Sequence, residues 1–361
     1  MKKLQSGKWL PTFWRIALLG IVTLAIGAAT LYMGLYMTYN GPEAARDFLV
    51  RTFEETARGP SINRVFLDDK TVKQITASSR MDLESNVDIG LIHIHPKQEQ
   101  EQTSGDSGNV IPPEKTTSEL ASGELPSDVT SGQEDDGGIQ LIDIKGGAYK
   151  GKLMIVEDPT RVFVASSNGR GGMEVPDFIE DYDAIGGTNA GGFLDSGGHG
   201  DGSVAAGLVI QDGKIKHGSR YETYSICGFD KNGILYVGKM TGAKALEKGV
   251  VSACSFGPAL IMNGVPANKT KSFSSGRNPR TAIGQRADGA VLLLAIEGRQ
   301  VDSLGATYDE LVDILYSYGA VNATNLDGGS STIMYYKGEK VIRPSTIASV
   351  SRGLATAIIV K

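Results

Sequence analysis

The chain has 361 residues, 40% of them hydrophobic, which is enough for one large domain or two moderate ones with a real core. A formal net charge of −5, with no basic stripe interleaved by aromatics, gives no footing for nucleic acid. Two cysteines, Cys227 and Cys254, exclude a disulfide framework and a cysteine zinc site; one bridge or two buried thiols remain equal readings.

In chain order, the first element is hydrophobic. Lys2, Lys3, Lys8 and Arg15 precede an uncharged stretch from Ile16 to Asn40, with Trp14 and Tyr39 among the aromatics near its ends. At ~1.5 Å per residue, roughly 20 residues cross the ~30 Å hydrocarbon core. The positive flank predicts a cytoplasmic tip and anchor over 1–40, with everything that follows extracytoplasmic. Small residues between Ala25 and Thr30 make a cleaved signal peptide the competing reading, but the apolar run is longer than an ordinary signal core. Residues 41–95 read as a membrane-proximal helical stalk. One helix starts at Gly41-Pro42 with Ala44, Phe48 and Leu49 on a face; a second covers Ser61 to Thr76, with Asp68 or Asp69 as N-cap. From 96 to 137 the composition falls to Glu, Gln, Ser, Gly, Asp, Thr and Pro. Such a segment buries too little surface to offset its ordering entropy, so it is expected to be an acidic disordered linker.

From 138 to 361 short Val-, Ile- and Leu-rich runs are punctuated by Gln211-Asp-Gly-Lys, Asp230-Lys-Asn-Gly, Asn263-Gly and Ala287-Asp-Gly, which are hairpin cues. Helical patterns are fewer: Pro176 to Tyr182, Gly242 to Lys248, and Thr307 to Tyr318 with a Thr307/Glu310 capping box. The expectation is an α+β domain of mixed or antiparallel sheets with a few helices.

Four segments carry candidate chemistry. In Asn325-Leu-Asp-Gly-Gly-Ser-Ser-Thr332, Asp327 stands at an element's end beside Gly328 and Gly329, whose freedom at positive φ lets backbone N–H groups approach an anion. Ser330 and Ser331 add hydroxyl donors there; without a GxSxG turn they have no nucleophile context. Thr188-Asn-Ala-Gly-Gly-Phe193 presents Asn189, whose amide donates and accepts and so suits sugar hydroxyls. Arg277-Asn-Pro-Arg-Thr-Ala-Ile-Gly284 directs Arg280 through the fixed φ of Pro279. The apolar run Val291 to Ile296 ends in Glu297-Gly-Arg299. Asp195, His199 and Asp201 alternate with glycines and serine in a loop that offers oxygen ligands to a divalent cation but lacks EF-hand spacing; no cofactor is otherwise called for. Phosphate-loop, dinucleotide and HExxH signatures are absent.

Together and in this order, the four segments resemble the phosphodiester glycosidase family over about residues 138–361. The resemblance implies hydrolysis of the sugar C1–O bond in a sugar-1-phosphate diester, on cell-envelope or exopolysaccharide material. It implies Asp327 and Glu297 as catalytic carboxylates and Arg280 as a phosphate ligand; the residues themselves add Asn189, His199, Gly329, Ser330 and Ser331 as substrate contacts, His199 in a loop where relatives vary. Relatives more often carry Asp where Glu297 stands, and the extra methylene moves the carboxylate outward by about one bond. Two rivals stay open: a metal-dependent phosphodiesterase cleaving P–O, and a non-catalytic glycopolymer-binding module.

Overall fold

The uncharged N-terminal stretch folds as one helix, α1 (Thr12–Tyr39), of which Ile16–Tyr39 is long and apolar enough to cross a membrane. Ile16, Leu19, Leu24 and Ile26 stand more than half exposed along it, as expected of side chains with no protein partner. This computed structural model describes residues 12–54, 59–77, 85–94, 137–194, 200–269, 275–345 and 353–361. The expected linker, 96–137, falls almost wholly outside them.

Three short helices follow: α2 (Glu43–Glu54), α3 (Gly59–Phe66) and α4 (Asp69–Ala77). Val50, Val72 and Ile75 pack with Tyr39 from the last turn of α1, and the Tyr39 hydroxyl donates to Asn63 Oδ1. The single helix expected over Ser61 to Thr76 is two. Asp68, one of the two N-caps expected there, starts the second: its carboxylate accepts from the Thr71 N–H (2.9 Å) and so caps a new helix rather than continuing the old one.

The strands and helices of the large body run β1 (Ile139–Lys145), β2 (Lys150–Val156), β3 (Val162–Ser166), α5 (Val175–Tyr182) and β4 (Gly186–Asn189). Next come β5 (Val209–Gln211), β6 (Lys214–His217), β7 (Thr223–Asp230), β8 (Leu235–Thr241), α6 (Gly242–Glu247) and β9 (Val250–Ser255). The chain continues through β10 (Ala259–Met262), β11 (Val265–Pro266), β12 (Arg280–Arg286), β13 (Val291–Ile296) and α7 (Tyr308–Ser317). It closes with β14 (Ala320–Leu326), β15 (Met334–Tyr336), β16 (Glu339–Lys340) and β17 (Thr356–Val360).

These form three antiparallel sheets, ordered β1-β2-β13-β12-β14-β10-β11, β16-β15-β4-β17-β3 and β6-β5-β9-β7-β8. The α+β expectation holds, and every named strand pair is antiparallel. The main core lies where the sheets meet: Leu293 and Leu326 of the first, Ile226 and Val237 of the third, and Val164 and Ile358 of the second share it. On the other face of the first sheet, Leu292 and Leu294 pack under Leu311 and Leu315 of α7. Buried on both faces, β13 is apolar at every position, as its sequence shows.

Two of the sequence's hairpin cues turn with both central residues at positive φ, Asp212-Gly213 (52° and 67°) and Asn263-Gly264 (53° and 75°). Residues 85–94, which the sequence reading placed in the stalk, strap across this body. Ser85 N–H donates to Lys239 O, Asp88 N–H to Asn263 Oδ1, and His93 N–H to Ala287 O (2.8, 2.9 and 2.7 Å). Val87 and Ile92 enter the main core beside them.

Candidate active site

Antiparallel pairing brings three of the four motifs to one edge. Ile296 at the end of β13 stands opposite Arg280 at the start of β12, and Thr281 stands opposite Leu326 at the end of β14. Glu297, Arg280 and Asp327 therefore leave the sheet on adjacent rows. The second sheet delivers the fourth motif through β4, whose last residue is Asn189.

Asn189 ties these strands together and is fully buried. Its Nδ2 donates to the Asp327 carbonyl (2.5 Å), while its Oδ1 accepts from Thr281 Oγ1 (2.8 Å) and the Ile333 N–H (3.2 Å). The turn after β14 is fixed on both sides. Asp327 N–H donates to Ala190 O (2.9 Å) and Gly329 N–H to Pro279 O (2.8 Å). A Cβ on Gly328 would lie 2.8 Å from Pro279 O, so a side chain is excluded there; Gly329 has φ +62°. Two of the N–H groups that the motif offers an anion are thus held by the protein. Ser331 is buried, whereas Asp327, Gly329 and Ser330 are half-buried at the edge.

The pleat separates the two charged candidates. Consecutive strand residues face opposite ways, so Glu297 leaves on the face opposite to Ile296 and its partner Arg280. Arg280, 4% exposed, donates from Nε to Ala306 O (3.1 Å) and from Nη2 to Gly276 O (2.8 Å), with its guanidinium 4.2 Å from the Tyr308 ring centroid. The Nε–Nη2 edge that would clamp a phosphate is already occupied. Glu297 meets neither Arg280 nor Arg299. Its Oε1 accepts from the Arg343 N–H (2.8 Å), and its Oε2 accepts from Arg343 Nε and Nη2 (2.8 and 2.6 Å). Both lie in a groove of about 350 Å³ lined also by Lys150, Lys152 and Asp302. There Lys150 first and Arg343 second pull the Asp302 carboxyl down to about 2, while Glu297 and then Asp302 raise the Arg343 guanidinium further.

Sequence reasoning missed the side chains that reach the edge. Arg299, at φ 58°, lays its guanidinium against the Gly328–Gly329 turn, its Nη2 3.2 Å from where a Gly329 Cβ would stand. Asn278 Oδ1 steadies the same nitrogen (3.1 Å). The motif Glu297-Gly-Arg299 contained that signal. Arg343 had none, since only the fold brings it to Glu297. Arg277 pairs with Glu310 through Nη1 and Nη2 (2.9 and 2.8 Å).

His199 and Asp195 lie outside the described residues. Asp201 is exposed; the Ser203 hydroxyl and then its N–H hold the carboxyl below its ordinary value. Among the described residues no three His, Cys, Asp or Glu side chains cluster as metal ligands.

Comparison with known proteins gives the family and the fold. The family described as "Phosphodiester glycosidase" matches residues 182–361. An uncharacterized SPbeta prophage-derived protein, YomE, of Bacillus subtilis (strain 168) is 30% identical over 162 residues, which is 42% of this chain and 24% of that protein. The N-acetylglucosamine-1-phosphodiester alpha-N-acetylglucosaminidase of Mus musculus is 28% identical over 225 residues, 56% of this chain and 42% of its own length. The chain thus spans less than half the length of both curated relatives. The solved catalytic domain of the zebrafish enzyme of that name, auto-inhibited by its pro-peptide, superposes with a TM-score of 0.52 at 22% identity. It covers 65% of this chain and 85% of its own, a likeness of fold.

Proposed function

Residues 182–361 belong to the phosphodiester glycosidase family, and from that premise we propose that this protein is an extracytoplasmic hydrolase cleaving the C1–O bond of a sugar-1-phosphate diester. Its material would be a cell-envelope or exopolysaccharide glycan. The mouse relative acts, by its name, on an N-acetylglucosamine-1-phosphodiester.

The observation that carries the reading is the Arg299 guanidinium laid on the Asp327-Gly328-Gly329 turn at the meeting point of the four motifs. A phosphodiester leaving group is already acidic, so it needs positive charge on its oxygens more than a proton. The anomeric carbon gathers oxocarbenium character, which a carboxylate can stabilise, attack or relieve by activating water. In this scheme Asp327 is that carboxylate and Arg299 receives the phosphate charge. Ser330 and Ser331 add hydroxyl donors, and Asn189 fixes the Asp327 backbone. Arg280 braces the edge from behind, and the Glu297–Arg343 pair forms the wall of the neighbouring groove. α1 would hold the domain at the membrane with its N-terminus cytoplasmic. A mature chain recovered soluble and cut between residues 25 and 30 would sink that part.

The test is hydrolysis of glycosyl phosphodiesters in ¹⁸O-water by the purified protein. The label is expected on the sugar, and Asp327→Asn is expected to lose at least about 10²-fold in turnover with its thermal transition unchanged. Label on the phosphate, with activity lost to a chelator, would instead select the metal-dependent phosphodiesterase. Glu297 being locked by Arg343 is the observation that favours a glycopolymer-binding module, for which no diester would be hydrolysed and Asp327→Asn would keep its affinity.

A further inference from the structure

A second cavity, of about 610 Å³, lies against a segment that pairs with the end of the Asn189 motif. One wall is the segment 203–205, and that segment and its neighbour Ala206 are bonded to the motif's continuation. Leu194 N–H donates to Val204 O and Ala206 N–H to Gly192 O (both 2.8 Å), with Phe193 and Ala205 bridged between them. Four residue steps lead from Asn189 to Phe193, about 13 Å if extended. The cavity wall is therefore joined by one short ladder to the motif whose first turn is tied to Asp327.

Part of its polar lining is not consumed by internal bonding. Ser167 is 2% exposed, and its hydroxyl makes no hydrogen bond among the described residues. Gln211 donates from Nε2 to the Tyr182 hydroxyl (2.8 Å), but its Oε1 is buried without a partner. A buried acceptor left unpaired carries a desolvation cost and calls for an explanation. Val209, Ala205 and Ala355 give an apolar floor, while Asp212, Lys216 and His217 stand exposed in the lining. One carboxylate against one ammonium leaves little net charge. Asn189, Arg280 and Glu297 contrast with this, since each is already committed to protein partners.

We propose that this cavity is a binding site for a neutral, hydroxyl-rich sugar, the unit next to the scissile diester, so that the substrate is a glycan chain rather than a single sugar phosphate. The proposal deepens the glycosidase reading and rests on it for the word substrate; sugar binding itself does not. Hydroxyls that both donate and accept satisfy Gln211 Oε1 and Ser167 together, and the apolar floor meets the sugar's C–H face. A phosphate would find only one ammonium there and would face Asp212.

The test is isothermal titration of the whole protein in detergent with chitobiose, maltose and cellobiose, and with inorganic phosphate as competitor. At least one disaccharide is expected to bind saturably, unaffected by phosphate. Gln211→Leu and Ser167→Val are expected to weaken it at least tenfold, with Asp327→Asn keeping it. Lys216→Ala, at an exposed position, is the second variant should the buried ones not fold, and a severalfold loss is expected. Absence of saturable binding, equal binding to the cavity variants, or displacement by phosphate overturns the proposal. Because the titration needs no turnover, a protein that binds the sugar yet hydrolyses no diester would end the glycosidase reading alone.

Discussion

Asn189 shows how little of a residue's role is in its type. The amide that suits a sugar hydroxyl is occupied by Asp327 O, Thr281 and the Ile333 N–H. Asn189→Ala would orphan three polar groups at once, so a loss of about 2–4 kcal/mol is expected in urea unfolding. A variant that unfolds at the wild-type midpoint would show that these bonds are not needed to hold the strands. Arg299 makes the complementary case. Its guanidinium is held by Asn278 and lies on Gly329, a planar fork that the proposed reading assigns to the phosphate. Arg299→Lys keeps the charge and loses the fork. kcat/KM on a diester is expected to fall about 10²-fold with Tm unchanged, in the range of removing one oxyanion donor; a near-wild-type rate would remove Arg299 from the site. Both residues stand in motifs read from the sequence. What the sequence could not give was direction: alternation sends Arg280 and Glu297 to opposite faces, and no local pattern says which arginine reaches the edge.

At the scale of elements, α7 is the one whose sequence and structure agree in most detail. Thr307 accepts from the Glu310 N–H while Glu310 accepts from the Thr307 N–H, the capping box expected there, and Leu311 and Leu315 face the sheet. One residue in its first turn is misplaced energetically. Burial first, then Asp313 and Glu310, push the Asp309 carboxyl up from 3.8 to about 6, and its Oδ1 is buried without a hydrogen bond. The folded state therefore holds that proton more tightly than the unfolded chain. Its contribution is complete below about pH 4 and is lost as pH rises through about 6. Asp309→Asn should stabilise by about 1 kcal/mol near pH 7.5, after discounting for its partial exposure, and by nearly nothing at about pH 4. Equal effects at both pH values would show that the carboxyl is not titrating there. Elements were legible where local chemistry decides them, as at Asp212-Gly213 and Asn263-Gly264. Asp68 belongs with them, as one of the two N-caps read there, although the apolar pattern around it did not show that a separate helix ends before it. The β15–β16 turn uses Lys337-Gly338 at φ 51° and 78°, with lysine at a position that favours Asn or Asp.

At the scale of the molecule, the sequence divides the chain by composition and the structure divides it by packing. Composition ends the stalk at 95 and starts the domain at 138, because the polar segment between them cannot build a core. Packing draws the line earlier, for residues 85–94 bond to hairpins of the first and third sheets and bury Val87 and Ile92 where all three sheets meet. The strap also supplies partners to the hairpin tips, to the Asn263 side chain and the Ala287 carbonyl. It carries no helical or strand periodicity long enough to read, which is why only the fold reveals it. A chain beginning at residue 85 should therefore be more stable than one beginning at 137. Full burial of an aliphatic side chain is worth about 1.5–3 kcal/mol, so two of them, less the cost of ordering the segment, leave a difference of about 3 kcal/mol. Guanidinium unfolding of the two truncated proteins measures it. Coincident transitions would mean that the strap rides on the surface without supporting it. A shifted transition with equal diester hydrolysis would place its role in stability and leave the site to the four motifs alone.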